Sequence, residues 1–255
     1  MSAPDKRPMS ERIADELRQA IEAGNLAPGA KLPSERELAE THHAARNTVR
    51  QAIRILSEDG LVTAEHGRGV FVRTTANLIR LGNDRYSHKY RETGLSPFLL
   101  ECARQGKSGR FEVLSITRMT PPPDVAAALD LPTDSESVVR RENVFWADSD
   151  PVQRVTTWVP WTIAEGTGLV DDEVGHPYGI HGVFEDKGHM MTRMLDDVSA
   201  RMPTPDERTH LRLPPGVPVL DILHTSVDQN GRPYELTRFV LRGDLSGMRY
   251  DIPVE

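Results

Sequence analysis

The chain of 255 residues carries 31 Lys+Arg against 38 Asp+Glu, a formal charge of -7, and is 38% hydrophobic. No apolar run is long enough to span a bilayer and the start, "MSAPDKRPMSER", lacks the apolar core of a signal peptide, so a cytoplasmic protein with no membrane partner is expected. A single cysteine, Cys102, excludes an internal disulfide and a cysteine-built zinc site.

Charge is unevenly placed. Residues 1–75 hold 11 basic and 11 acidic side chains, so the whole excess of acid lies beyond them. Ile13, Leu17 and Ile21 recur every four residues after Ser10, a candidate N-cap, and Gly24 follows as a stop, which predicts an amphipathic helix. Pro28-Gly29 is turn chemistry. Ser34-Glu35-Arg36-Glu37 is a capping box that opens a short second helix. In the third, "ARNTVRQAIRIL", Val49, Ala52, Ile53 and Leu56 form one buried stripe, leaving Arg46, Asn47, Arg50 and Arg54 to project from the other side. No acid occurs between Thr41 and Ser57. Gly60 ends this helix, and "LVTAEHGRGVFV" reads as a hairpin with His66, Gly67 and Arg68 at its tip.

Three helices and a hairpin predict a winged helix-turn-helix over residues 1–75. Its third helix has the width that a DNA major groove admits, and its wing arginine can reach phosphate or the minor groove. The alternative is a solvated charged helix face. The helices ahead of it and the basic wing weigh against that reading.

Residues 8–73 resemble the DNA-binding domain of the GntR family of bacterial transcription regulators. The markers are Pro28-Gly29, Leu32-Pro33-Ser34-Glu35-Arg36-Glu37-Leu38, Arg46-Asn47-Thr48-Val49-Arg50 and His66-Gly67-Arg68-Gly69. The resemblance implies double-stranded DNA as partner and contacts from Arg36, Arg46, Asn47, Thr48, Arg50, His66 and Gly67, to which Arg68 is added from its place at the wing tip.

Residues 76–95 read as a linker. Phe98, Leu99, Leu100 and Ala103 can pack as one helix face. From Arg110 the pattern turns to short alternating runs, "FEVLSITRM", "SVVRRENVFWA", "VQRVTTWVP", "PVLDILHTSV" and "YELTRFVLR", separated by turn residues, which predicts an antiparallel sheet with a few helices over residues 96–255. Leu129-Asp130-Leu131-Pro132 returns as Leu211-Arg212-Leu213-Pro214, and Pro151-Val152-Gln153 as Pro233-Tyr234-Glu235, both 82 residues later. Two such hairpins side by side can enclose a pocket across a pseudo-twofold axis.

"ADSDPVQ", "WVPWTIAEGT", "RMPTPDE" and "NGRPYE" make this half similar to the UTRA effector-binding domain of the HutC subfamily. That resemblance implies an α+β chain, a winged helix-turn-helix followed by a chorismate-lyase-like effector domain. It also implies a homodimer on an inverted-repeat operator and a small-molecule effector. The candidate effector residues are Ser96, Phe98, Arg141, Asn143, Phe145, Gln153, His181 and Glu235. Relatives that sense sugar phosphates carry two arginines and a serine where this chain has Asn143, Phe145 and Gly179, which argues against a sugar phosphate. Trp146, Trp158 and Trp161 are either core or a stacking wall for the effector.

An enzyme is the rival reading. The sequence has no nucleophile elbow, phosphate-binding loop or His-Glu-x-x-His motif. His181 and His189 stand eight apart, not at the spacing that aligns ligands on a helix; that does not exclude a site, but surface or core histidines are the expectation, with no metal and no other cofactor. A ligand-responsive DNA-binding regulator, a repressor rather than an activator or enzyme, is the expectation.

Overall fold

A computed structural model describes residues 7–65, 67–73, 78–82 and 85–252. The chain divides into two compact units, residues 1–76 with 214–217, and residues 77–213 with 218–255.

In the first unit, α1 (Met9–Glu22), α2 (Glu35–Thr41) and α3 (Arg46–Glu58) precede the antiparallel pair β1 (Val62–Glu65) and β2 (Gly69–Val72). Ile13 and Leu17 of α1, Leu38 of α2 and the α3 stripe of Val49, Ala52, Ile53 and Leu56 make one core with Val62 and Val72. Burying each of the Val, Leu and Ile side chains among these contributes about 1.5–3 kcal/mol. The capping box of α2 forms in both directions: Ser34 Oγ accepts from the Glu37 amide at 3.3 Å, and the Ser34 amide donates to Glu37 at 2.7 Å. Ser10 is not the N-cap of α1. The helix starts two residues earlier, with Pro8 at the cap, because the Pro8 carbonyl accepts from the Glu11 and Arg12 amides. Between α2 and α3 the chain turns through His43, whose φ of 47° is unusual for a side chain with a Cβ.

The second unit opens with β3 (Leu78–Leu81), so the segment read as a linker is not one throughout. It pairs in parallel with the last strand, β10 (Ser246–Arg249), a partner far away in sequence. Next come α4 (Pro97–Arg104), β4 (Gly109–Met119), α5 (Pro123–Leu129), β5 (Val138–Ala147) and β6 (Asp150–Pro160). After the single turn α6 (Trp161–Ala164) follow α7 (Ile180–Asp186), β7 (Met191–Arg201), α8 (Pro205–His210), β8 (Val219–Asp228) and β9 (Pro233–Arg242). On α4 the buried face is Phe98, Glu101 and Cys102; Ala103 faces solvent, contrary to the expected grouping.

Strands β4 to β9 form one antiparallel sheet in the order β4-β5-β6-β9-β8-β7. The repeat is carried through all of it. Adding 82 to the bounds of β4 gives those of β7, and α5 maps onto α8 and α4 onto α7 within a residue. Both Leu-x-Leu-Pro units turn on a left-handed residue, Asp130 with φ 53° and Arg212 with φ 49°. The central strands meet with Thr156 opposite Arg238, a pair itself 82 apart, so the pseudo-twofold axis passes there.

Candidate functional site

On the first unit, Arg46, Asn47, Arg50 and Arg54 stand exposed along one side of α3, and Thr48 is half-buried. Two of the three arginines are engaged within the unit. Arg50 holds Glu35 of α2 with both arms, at 2.9 and 3.2 Å, and keeps that carboxyl below its ordinary range. Arg54 donates to Glu58 at 2.8 Å. The lack of acid within the segment had hidden these partners, which come from a neighbouring helix and from the end of α3. Among the described residues no hydrogen bond ties Arg46, which begins the helix; Ala45 ahead of it provides no side-chain cap. Arg36 is 70% exposed on α2. At the wing, Gly67 has φ 73°, and Arg68 pairs with Glu65 and lies 5.4 Å from the Phe71 ring. His66 lies outside the described residues.

The second unit holds a cavity of about 300 Å³. Ser96, Phe98, Asn143, Phe145, Gln153, His181 and Glu235 all line it. Arg141 does not. It lies farther along β5, where its guanidinium donates to the carbonyls of Leu169 and Asp171 and is used up as internal scaffolding. The tryptophans do not line the cavity either: Trp146 stacks against Arg110 and Arg212, and Trp161 against Arg118. The aromatic wall is Tyr86, Phe98, Phe111, Phe145 and Phe239 instead.

The cavity is built on the repeat. Phe98 and Ile180, Leu99 and His181, Gln153 and Glu235, and Val155 and Thr237 are lining pairs, each 82 apart. Helices α4 and α7 bring their first turns to it from opposite halves, and a Cβ on Gly179 would lie 3.2 Å from that of Ser96. Gly179 is required there by its φ of 65°.

One side of the cavity is backed by a buried polar chain. Nδ1 of His224 lies 2.5 Å from Asp196 and its Nε2 lies 3.1 Å from Ser226 Oγ. Ser226 donates to Glu235 at 2.6 Å, and Thr237 donates to the other Glu235 oxygen at 2.7 Å. The neighbouring imidazoles of His181 and His224 and these two donors hold the Glu235 carboxyl below its usual range despite full burial. Asp, His and Ser are joined in the order of a hydrolytic triad, but the one proton of Ser226 is committed to Glu235 and its hydroxyl is fully buried. That hydroxyl is no nucleophile. Burial pushes the His181 imidazole down to about 4, so it is neutral. The buried Cys102 thiol is pushed up to about 12, as an inert apolar filler requires. No group of three or more metal-ligating side chains occurs among the described residues.

Residues 104–245 match the UTRA domain family, and residues 9–72 the gntR family of bacterial regulatory proteins. The chain belongs to the GntR family. This GntR regulator is 31% identical to the HTH-type transcriptional regulator SCO4628 of Streptomyces coelicolor, over 98% of this chain and 94% of that one. It is 27% identical to the HTH-type transcriptional repressor NagR of Bacillus subtilis, over 93% and 91%. A crystal structure of a GntR-family transcriptional regulator superposes with a TM-score of 0.62 at 25% identity, covering 98% of this chain and 99% of the other. The matched families and relatives are regulators, and this GntR protein is a DNA-binding transcription regulator rather than an enzyme.

The site residues missed from sequence include two groups. Arg85 and Tyr86 come from the segment read as a linker, and Glu173 to Pro177 from the irregular stretch before α7. The repeat offers a signal for Gly179 and Ile180 beside the second group: shifting α4 by 82 marks the start of α7 as a lining element.

Proposed function

We propose that this regulator is a repressor that a small molecule releases from DNA. Two copies join through their second units and present two α3 helices to an inverted-repeat operator in the cytoplasm. Arg46, Asn47 and Thr48 read base edges, Arg36 and Arg50 hold phosphate, and His66, Gly67 and Arg68 supply the wing contact. Arg50 exchanges Glu35 for phosphate as it docks. The effector occupies the cavity against Ser96, Phe98, Asn143, Phe145, Gln153, His181 and Glu235. It is not a sugar phosphate, since Asn143 and Phe145 offer no cation on that strand.

The observation that carries this reading is the cavity itself, enclosed at a pseudo-twofold axis in a unit separate from the one bearing α3. Apolar side chains exposed on the sheet's two edge strands, Leu114 on β4 and Leu195 and Val198 on β7, support self-association. The name of the relative NagR supports repression. An effector acts only through differential affinity for the DNA-competent arrangement.

The test is selection of the operator from random DNA, followed by gel shift with and without a metabolite library, and light scattering of the full chain. A palindromic site, release by at least one metabolite and a dimeric mass are expected. A monomeric mass at tens of micromolar, or DNA binding that no small molecule alters, would refute the proposal.

A further inference from the structure

The cavity's wall carries a surplus of buried hydrogen-bond donors. Arg80 and Arg85 are 3% and 7% exposed, and both guanidinium groups lie over the ring of Phe239, at 3.9 and 5.7 Å. Among the described residues none of the three Arg80 guanidinium nitrogens has a hydrogen-bond partner, nor do Arg85 Nε and Gln153 Nε2. Among the described residues the one buried acceptor on the lining without a partner, Asn143 Oδ1, belongs to an amide that can turn to present its nitrogen. The buried acidic groups nearby are already engaged. Glu101 takes one arm of Arg85, Glu235 accepts from Ser226 and Thr237, and Asp196 faces His224 and Tyr250. Buried donors without acceptors are costly, and a ligand that brings acceptors relieves that cost.

Resting on the reading of this cavity as the effector site, we propose that the effector is an aromatic or bulky apolar monocarboxylate, its carboxylate seated on Arg85. Gln153 donates the second hydrogen bond. Arg80 is a positioning residue: stacked behind Phe239, it adds positive field through the ring and holds that ring against the ligand. Glu101 and the ionised Glu235 together offset the two cations, so it is the unmatched donors, and not a net positive charge, that seat a single carboxylate. A phosphate dianion would add a second charge with no cation left to balance it. Phe98, Phe111 and Phe145 receive the apolar body.

The experiment is calorimetry on the full chain with matched probes: phenylacetate, phenylacetamide and 2-phenylethylamine, and the corresponding indole-3 compounds. In at least one set the acid should bind about tenfold or more tightly than the amide and the amine. Arg85→Gln should erase that preference while leaving amide binding in place. Glu101→Gln, which releases the arm of Arg85 that Glu101 holds, should tighten the acid alone by several-fold, an effect that a merely structural arginine would not produce. Equal binding of the three charge types, preference for the amine, absence of binding by all six, or an acid preference that survives Arg85→Gln would each overturn the assignment. Release of operator DNA by a neutral or cationic metabolite would overturn it too, while leaving the regulator reading intact; DNA binding indifferent to every small molecule would instead sink that reading.

Discussion

His181 should make the second unit acid-labile in a window where carboxylates do not act. Its ring packs edge-on against Tyr86 at 4.9 Å and near Tyr178 and Phe184, and burial lowers its pKa from 6.5 to about 4. In the unfolded chain the same ring titrates near its ordinary value. Between those two values the unfolded state holds the extra proton, so stability rises with pH through the window and is lost on acidification. From pH 8 to pH 5 the shift corresponds to about 2 kcal/mol, and to about half of that where cavity water screens the exposed ring edge. The carboxylates with lowered pKa, Glu235, Asp196 and Asp221 among them, contribute stability above their unfolded values and lose it at still lower pH. Urea unfolding followed by tryptophan fluorescence isolates the effect, because Trp146, Trp158 and Trp161 all belong to the second unit. His181→Phe should flatten the stability curve between pH 8 and 5 by that amount. An unchanged slope in the variant would show that the buried imidazole is not the group responsible.

Three further outcomes bear on the interfaces. Arg46→Ala should cost about 1–3 kcal/mol on the operator and relax specificity at one position of each half-site, measured by fluorescence anisotropy; equal losses on random DNA would remove the base-reading role. Arg68→Ala should weaken binding evenly across sequences and make the salt slope shallower by about one unit per half-site, and an unchanged slope would count against a phosphate contact. Glucosamine 6-phosphate and N-acetylglucosamine 6-phosphate should give no heat of binding in calorimetry and leave the operator bound; micromolar binding with release would mean that the strand carrying Asn143 and Phe145 has been misread.

What was legible in the sequence was what is local. A capping box declares itself in four residues, so α2 was readable at Ser34. Alternation over ten residues announced β5, β6, β8 and β9, which are buried in the middle of the sheet. β7 escaped because most of its residues are exposed and its run Asp196-Asp197 breaks the apolar pattern, whereas the other edge strand, β4, still announced itself through Phe111, Val113 and Ile116. Trp146 follows Phe145, and neighbours on a strand face opposite ways, so its exclusion from the cavity was derivable once Phe145 was placed inside. The burial of Arg80 and Arg85 was not derivable. It depends on β3 finding β10 more than 160 residues away, and nothing in the local pattern marks a long-range parallel pair.

The repeat also explains why one cavity can distinguish the two ends of a ligand. A duplicated scaffold offers equivalent positions in pairs, and divergence between the halves decides their chemistry. The first half contributes Phe98, Leu99 and Val155, and the second puts Ile180, His181 and Thr237 at the matching places. Gln153 and its counterpart Glu235 line the cavity as an amide in one half and a carboxylate in the other. The polar chain from Asp196 through His224 and Ser226 lies wholly in the second half. The two buried arginines belong to neither repeat; they enter on β3 and the segment after it. Symmetry thus supplies the enclosure, while the loss of symmetry, together with a cationic segment from outside the repeat, gives the enclosure a direction.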